Sequence, residues 1–110
     1  MQQEHRLGKF ECQILITLLR LGSLAFAVDV TRQLESDTGR SVSRGALYAT
    51  LDRLERKGLL EWETAATTSA RGGLPRRAFS VTAEGTEALR QAYAHLRQVT
   101  TDLADVLGER

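Results

Sequence analysis

A chain of 110 residues with 15 Lys+Arg and 14 Asp+Glu has a formal charge of +1, and its 42% hydrophobic and 26% charged residues suit one globular domain. One cysteine (Cys12) excludes an internal disulfide, and two histidines (His5 and His95) with no second cysteine exclude the common zinc arrangements, so neither metal nor cofactor is expected. No apolar run approaches the ~20 residues that span a bilayer, and MQQEHRLGKF lacks the apolar core of a signal peptide, so the expected location is cytoplasmic with no membrane partner.

The first element is a buried helix from Lys9 to Leu21. Phe10, Ile14, Leu18 and Leu21 repeat at helical spacing, Leu15 and Leu19 widen the stripe, and Gly22 supplies a stop. Cys12 lies within it and reads as a small apolar filler. A shorter helix is expected from Phe26 to Asp37. Phe26, Val30 and Leu34 recur every four residues, Asp29 suits the positive end of the helix dipole, and Gly39 terminates it. Residues 40–43 are too few for more than a single bridge of strand.

Ser43 is a good N-cap for a third helix running from Arg44 to Lys57, with Gly58 after it. Leu47, Leu51 and Leu54 form its inward stripe. At 100° per residue, Gly45, Ala49, Asp52 and Arg56 point away from that stripe, Arg44 and Tyr48 lie on one shoulder, and Arg53 lies on the other. Small residues let a helix backbone approach a surface closely, and the flanking Ser43, Arg44 and Tyr48 are suited to bases and phosphates. Gly45 could equally loosen a fraying first turn. Arg53 and Arg56 suit flanking phosphates, or else pair with Asp52 or Glu55 on the helix surface.

Leu59–Glu63 and Arg77–Val81 alternate as strands, and Thr64–Arg76 between them is a long tip with Gly72, Gly73, Pro75, Arg71 and Arg76. A helix ending in glycine and followed by a hairpin with a basic tip is the pattern of a winged helix-turn-helix. The charge distribution agrees. Residues 1–39 sum to −1, residues 40–77 to +4 and residues 78–110 to −2, and seven of the eight central cations are arginine. Arg71, Arg76 and Arg77 would clamp a phosphate backbone from the wing; a solubilising loop is the alternative. Trp62, the only tryptophan, either covers the base of the wing or forms a flat wall for a planar effector.

The last helix starts at Thr82 as N-cap with Glu84 in its first turn and runs for about 25 residues, roughly 37 Å. Leu89, Leu96 and Leu103 repeat every seven residues, as do Ala92, Val99 and Val106, an a/d pattern to which Tyr93 adds an aromatic flank. A domain of about 80 residues is only about 25 Å across, so the far end should project with its seam exposed. The expected organisation is a DNA-binding domain over residues 1–81 and a dimerisation helix over 82–110, in a mainly α fold with a small β-hairpin (α+β).

The run Gly45-Ala-Leu-Tyr-Ala-Thr-Leu-Asp-Arg-Leu-Glu-Arg-Lys-Gly-Leu-Leu resembles the recognition-helix signature of PadR-like transcriptional regulators. Leu7-Gly-Lys-Phe-Glu and Thr38-Gly-Arg-Ser-Val-Ser are similar to that family's first-helix and helix-turn sequences, and Gly72-Gly-Leu-Pro-Arg-Arg-Ala-Phe-Ser-Val-Thr-Ala-Glu-Gly to its wing and final helix. The resemblance implies a winged-helix dimer that represses transcription, often near transporter or detoxification genes and sometimes released by a small ligand. The single short C-terminal helix resembles the family's smaller subgroup. Ala49 stands where many members have Pro, Ala78 where an aromatic is usual, and Phe26 where many have Tyr.

The expected function is therefore a sequence-specific regulator binding double-stranded DNA as a homodimer, with Ser43, Arg44, Gly45, Tyr48, Arg53, Arg56, Arg71, Arg76 and Arg77 on the DNA. Leu89, Ala92, Tyr93, Leu96, Val99, Leu103 and Val106 would form the dimer seam, and a small-molecule effector is a further possible partner. A winged-helix module that binds protein instead of DNA is the alternative. No nucleophile–base pair or metal cluster points to an enzyme.

Overall fold

The computed structural model describes residues 6–22, 24–65 and 76–109. Arg71 and most of the expected hairpin tip lie outside them, as does His5.

Helix α1 (Lys9–Leu21) has the bounds its spacing predicts. Ile14, Leu15 and Leu18 are fully buried, but Leu19 and Leu21 are 47% and 38% exposed. The helical angle carries Leu19 outside the buried arc that runs from Leu15 through Leu18 and Ile14 to Thr17, whereas Leu21 lies within that arc but is the last residue of the helix. Glu11, within the same arc, is buried as well. The chain next forms strand β1 (Ala25–Phe26) and then helix α2 (Ala27–Thr38). Spacing alone put Phe26 inside the helix. It is in fact extended, pairs with Ala78, and gives its N–H to the Asp29 carboxylate (3.4 Å). Val30 and Leu34 are buried, and α2 closes at Gly39 in the left-handed conformation.

Residues 40–43 form no strand and lead directly into helix α3 (Arg44–Arg56). The Ser43 hydroxyl caps it by accepting from the Ala46 N–H (3.2 Å). Leu47, Leu51 and Leu54 are buried as expected, and Thr50 joins them. Gly58 then takes φ +76°, a conformation a Cβ would disfavour, and turns the chain into strand β2 (Leu60–Ala65). Strand β3 (Arg76–Val81) pairs antiparallel with β2, Trp62 opposite Phe79 and Thr64 opposite Arg77. The sheet has three strands, with β3 in the centre and β1 on its other edge. The two-residue β1 is too short to carry an alternation signal, so the sequence showed only the hairpin.

Helix α4 (Ala83–Val99) starts where expected: the Thr82 hydroxyl accepts from the Gly85 N–H (3.0 Å) and donates to the Gly58 carbonyl (2.7 Å). The expected 25-residue helix is divided. At Thr100 and Thr101 the hydroxyls turn back onto the carbonyls of Leu96 (2.7 Å) and Arg97 (3.0 Å), and a separate short turn, α5 (Leu103–Val106), follows. Such side-chain bonds compete with the helical ladder, and a pair of β-branched residues weakens it further. Leu103 and Val106 therefore lie off the helix that carries Leu89 to Val99.

The core joins α1, α2, α3 and the sheet through Ile14, Leu15, Leu18, Val30, Leu34, Leu47, Leu51, Leu54, Leu59, Leu60 and Phe79, and Ala88 brings α4 onto it. Gly85 sets the approach of α4. A Cβ there would sit on the Leu59 carbonyl and against Val81, in backbone that has no room to move. Gly85→Ala is accordingly expected to cost about 3 kcal/mol in urea-induced unfolding, although alanine is the better helix former.

Candidate nucleic-acid interface

The orientation of α3 is set from its C-terminal end. Glu11 of α1, with a side chain only 6% exposed, accepts from Lys57 Nζ (2.8 Å) and Arg53 Nε (3.1 Å) through one oxygen and from the Gly8 N–H (2.8 Å) through the other. Burial alone would push this carboxyl up. Hydrogen bonds from Lys57, the Gly8 N–H and Arg53, with the Lys57 charge, outweigh it and hold the group below its ordinary 4.5. Arg53 also reaches Thr50 Oγ1 (3.4 Å). The sequence reading set Arg53 beside phosphates, Asp52 or Glu55; the structure sets it against Glu11. Arg56 is exposed and makes no ion pair among the described residues.

The N-terminal half of α3 is the open half. Ser43, Arg44, Gly45, Ala46 and Ala49 are exposed and Tyr48 is half-buried. Among the described residues a methyl group at Gly45 would meet only Ser43 Oγ, at 3.9 Å, so packing against them makes no demand for glycine there. The Arg44 guanidinium lies 5.8 Å from the centre of the Tyr48 ring.

The wing strands come up beside this half. Arg76 on β3 stacks 4.1 Å from the Phe26 ring centre, which ties the central strand to the edge strand β1. Arg77 turns to the other face. Its guanidinium lies 5.4, 5.2 and 5.5 Å from the ring centres of Tyr48, Trp62 and Phe79, and Nη1 is 3.5 Å from Asp52 Oδ1. Trp62 is thus on the first wing strand with Arg77 near its ring, and it is 38% exposed. A cleft of about 620 Å³ runs between the start of α2, α3 and the wing, lined by Phe26, Arg44, Tyr48, Arg76 and Arg77 among others. A second, of about 630 Å³, lies on the other side of the α3 N-terminus beside Lys9, Phe10, Arg40 and Ser43.

The expected seam falls into two groups. Leu89 packs against the core and Ala92 is half-buried, whereas Tyr93, Leu96 and Val99 are 62%, 58% and 59% exposed. Leu103 and Val106 are exposed on α5. Ile16 and Leu19 add exposed apolar surface on α1. Cys12 is half-buried, and burial with the nearby Glu11 charge raises its thiol above the ordinary 9.0, which keeps it protonated at neutral pH.

Glu11 and Lys57 are structural determinants of the site that the sequence reading did not single out. A signal was present: Glu11, Leu15 and Leu18 share a helix face, and Arg53 and Lys57 are four residues apart on another, but nothing local joins the two.

The sequence matches the transcriptional regulator PadR-like family over residues 15–91, and the chain belongs to that family. It is a family of regulators and not of enzymes. Among solved structures, a PadR-like transcription factor from Bacteroides fragilis is similar at 26% identity and TM-score 0.68, over 86% of this chain and 87% of that one. A PadR-like regulator from Bacillus cereus reaches TM-score 0.73 at 22% identity, over 92% and 93%. PadR of Bacillus subtilis, solved in complex with operator DNA, has the same fold at TM-score 0.64 and 22% identity, over 76% of this chain and 47% of that one. No curated protein matches the sequence. Among the described residues no helix is long and apolar enough to cross a membrane.

Glu11→Gln removes the charge while leaving two cations facing the gap, and is expected to cost about 2 kcal/mol at neutral pH. The folded carboxyl sits below 4.5, so its contribution is complete above that pH and is lost as pH falls through the folded value. Urea titrations should therefore show the difference between wild type and Glu11→Gln shrinking once the pH drops below 4.5.

Proposed function

We propose that the protein is a DNA-binding repressor that acts as a homodimer on a pseudo-palindromic operator. The observation that carries the reading is the open N-terminal half of α3, where Ser43, Arg44, Gly45 and Tyr48 are presented beside Arg76 of the wing. Two such helices would enter successive major grooves about 34 Å apart. Arg44 and Tyr48 would meet bases and phosphates, Gly45 and Ala49 would let the backbone come close, and Arg56, Arg71 and Arg76 would neutralise phosphates on either side. The open space around Gly45 among the described residues leaves room for a close backbone approach from outside the chain. The operator complex of the B. subtilis protein, alike in fold, supports the same docking.

The exposed Tyr93, Leu96 and Val99 support dimerisation, because contiguous exposed apolar side chains on a helix mark an interaction surface. Leu89, Ala92, Leu103 and Val106 would extend the seam at its two ends. Release by a small-molecule effector is part of the proposal, with the partly exposed Trp62 ring as its candidate contact. The cytoplasm is the compartment in which such a repressor acts.

A gel-shift titration against promoter DNA of the protein's own gene tests the reading. With about six phosphates neutralised per dimer, log affinity should fall against log salt with a slope of about −5, and Arg76→Ala should weaken all sequences alike while flattening that slope. A salt-insensitive complex, or none, would favour a protein-binding module. Leu96→Asp should give monomers in sedimentation velocity and about a hundredfold loss of operator affinity, since each half-site then binds alone.

A further inference from the structure

We propose that Arg77 is a positioning residue: it latches the wing to the recognition helix and does not itself contact DNA. The inference reverses the role expected from its place in a basic tip, and its affinity arm rests on the DNA-binding reading above. The guanidinium sits where three elements meet. Phe79 belongs to its own strand, Trp62 is the residue opposite Phe79 on β2, and Tyr48 and Asp52 are successive turns of α3. All three ring centres lie within 5.5 Å of Cζ, and Asp52 takes Nη1 at 3.5 Å. The cation lies within cation–π distance of aromatic rings from both the hairpin and the helix, so one side chain bridges the two above the shared leucine core.

Two features argue against a phosphate as its partner. The Asp52 carboxylate beside Nη1 repels an anion approaching the same nitrogen, and the side chain is only 35% exposed. An exposed ion pair at this distance contributes little by itself. The three rings lie within cation–π distance of one guanidinium that also reaches Asp52, and the broad guanidinium spans these partners where a compact lysine ammonium would not.

The experiment uses Arg77→Gln, Arg77→Lys, Asp52→Asn and the Arg77→Gln/Asp52→Asn pair, each first checked for wild-type circular dichroism. In the DNA-free protein, acrylamide quenching of Trp62, the sole tryptophan, should rise in Arg77→Gln and Arg77→Lys, because the ring loses its cover. On promoter DNA, Arg77→Gln and Arg77→Lys should each bind about tenfold more weakly with an unchanged salt slope, Asp52→Asn should bind within about twofold of wild type, and the double variant should be no weaker than Arg77→Gln. Asp52→Asn decides by sign: a phosphate-bound Arg77 would be freed by it and the complex would tighten. A tighter Asp52→Asn complex, a salt slope lowered by about 0.9 in Arg77→Gln, or unchanged Trp62 quenching overturns the latch. If wild type binds no DNA, the repressor reading fails, and the quenching result alone decides whether Arg77 holds the wing.

Discussion

A buried carboxylate sets the pose of the recognition helix. Glu11 is almost out of solvent, and an ionised group there is tolerable only if its oxygens are fully engaged. The partners come from both ends of the domain: the Gly8 N–H that opens α1, and Arg53 and Lys57 at the far end of α3. The leucines of α3 would permit some rotation and sliding against the core, since apolar contact is not directional. Two charged hydrogen bonds four residues apart restrict both. The direction in which Arg44 and Tyr48 point is therefore decided three turns away, by a residue on another helix.

This gives α3 a graded character along its length. Its last turn is held by Glu11, its middle by Leu51 and Leu54 on one side and by Arg77 on the other, and its first turn by the Ser43 cap and the buried Leu47. Such a gradient suits an element whose N-terminal end must fit a partner while its axis stays fixed. The basic surplus of residues 40–77 is divided on the same lines. Arg53, Lys57 and Arg77 face carboxylates of the chain itself, while Arg40, Arg44, Arg56 and Arg76 make no ion pair among the described residues. A near-neutral total thus contains a few cations with architectural work and a few turned outward.

Much of this fold could be read from the sequence because its signals are local. Helical spacing placed α1 to within a residue, Ser43 and Thr82 marked two helix starts, and Gly39 and Gly58 marked two ends. The open half of α3 followed from the same arithmetic. What spacing could not show was pairing at a distance. Ala25 and Phe26 become a strand only because β3 lies beside them, Glu11 is silent until Lys57 arrives from 46 residues away, and Arg77 looks like any wing cation until the chain folds Tyr48 and Asp52 against it. The division of the last helix is a different case. The heptad pattern was real as a pattern, but Thr100 and Thr101 redirect their hydroxyls to the backbone, a local competition that a count of apolar positions ignores.

That break has a geometric consequence for any assembly built on the seam. A supercoil propagates by keeping one phase relation from its first layer to its last, and residues 100–102 reset the phase. Leu89 to Val99 belong to one helix, with Leu103 and Val106 on a separate single turn. In a dimer built on this helix, the contacts of Leu89 to Val99 and those of Leu103 and Val106 would be set by separate helical segments.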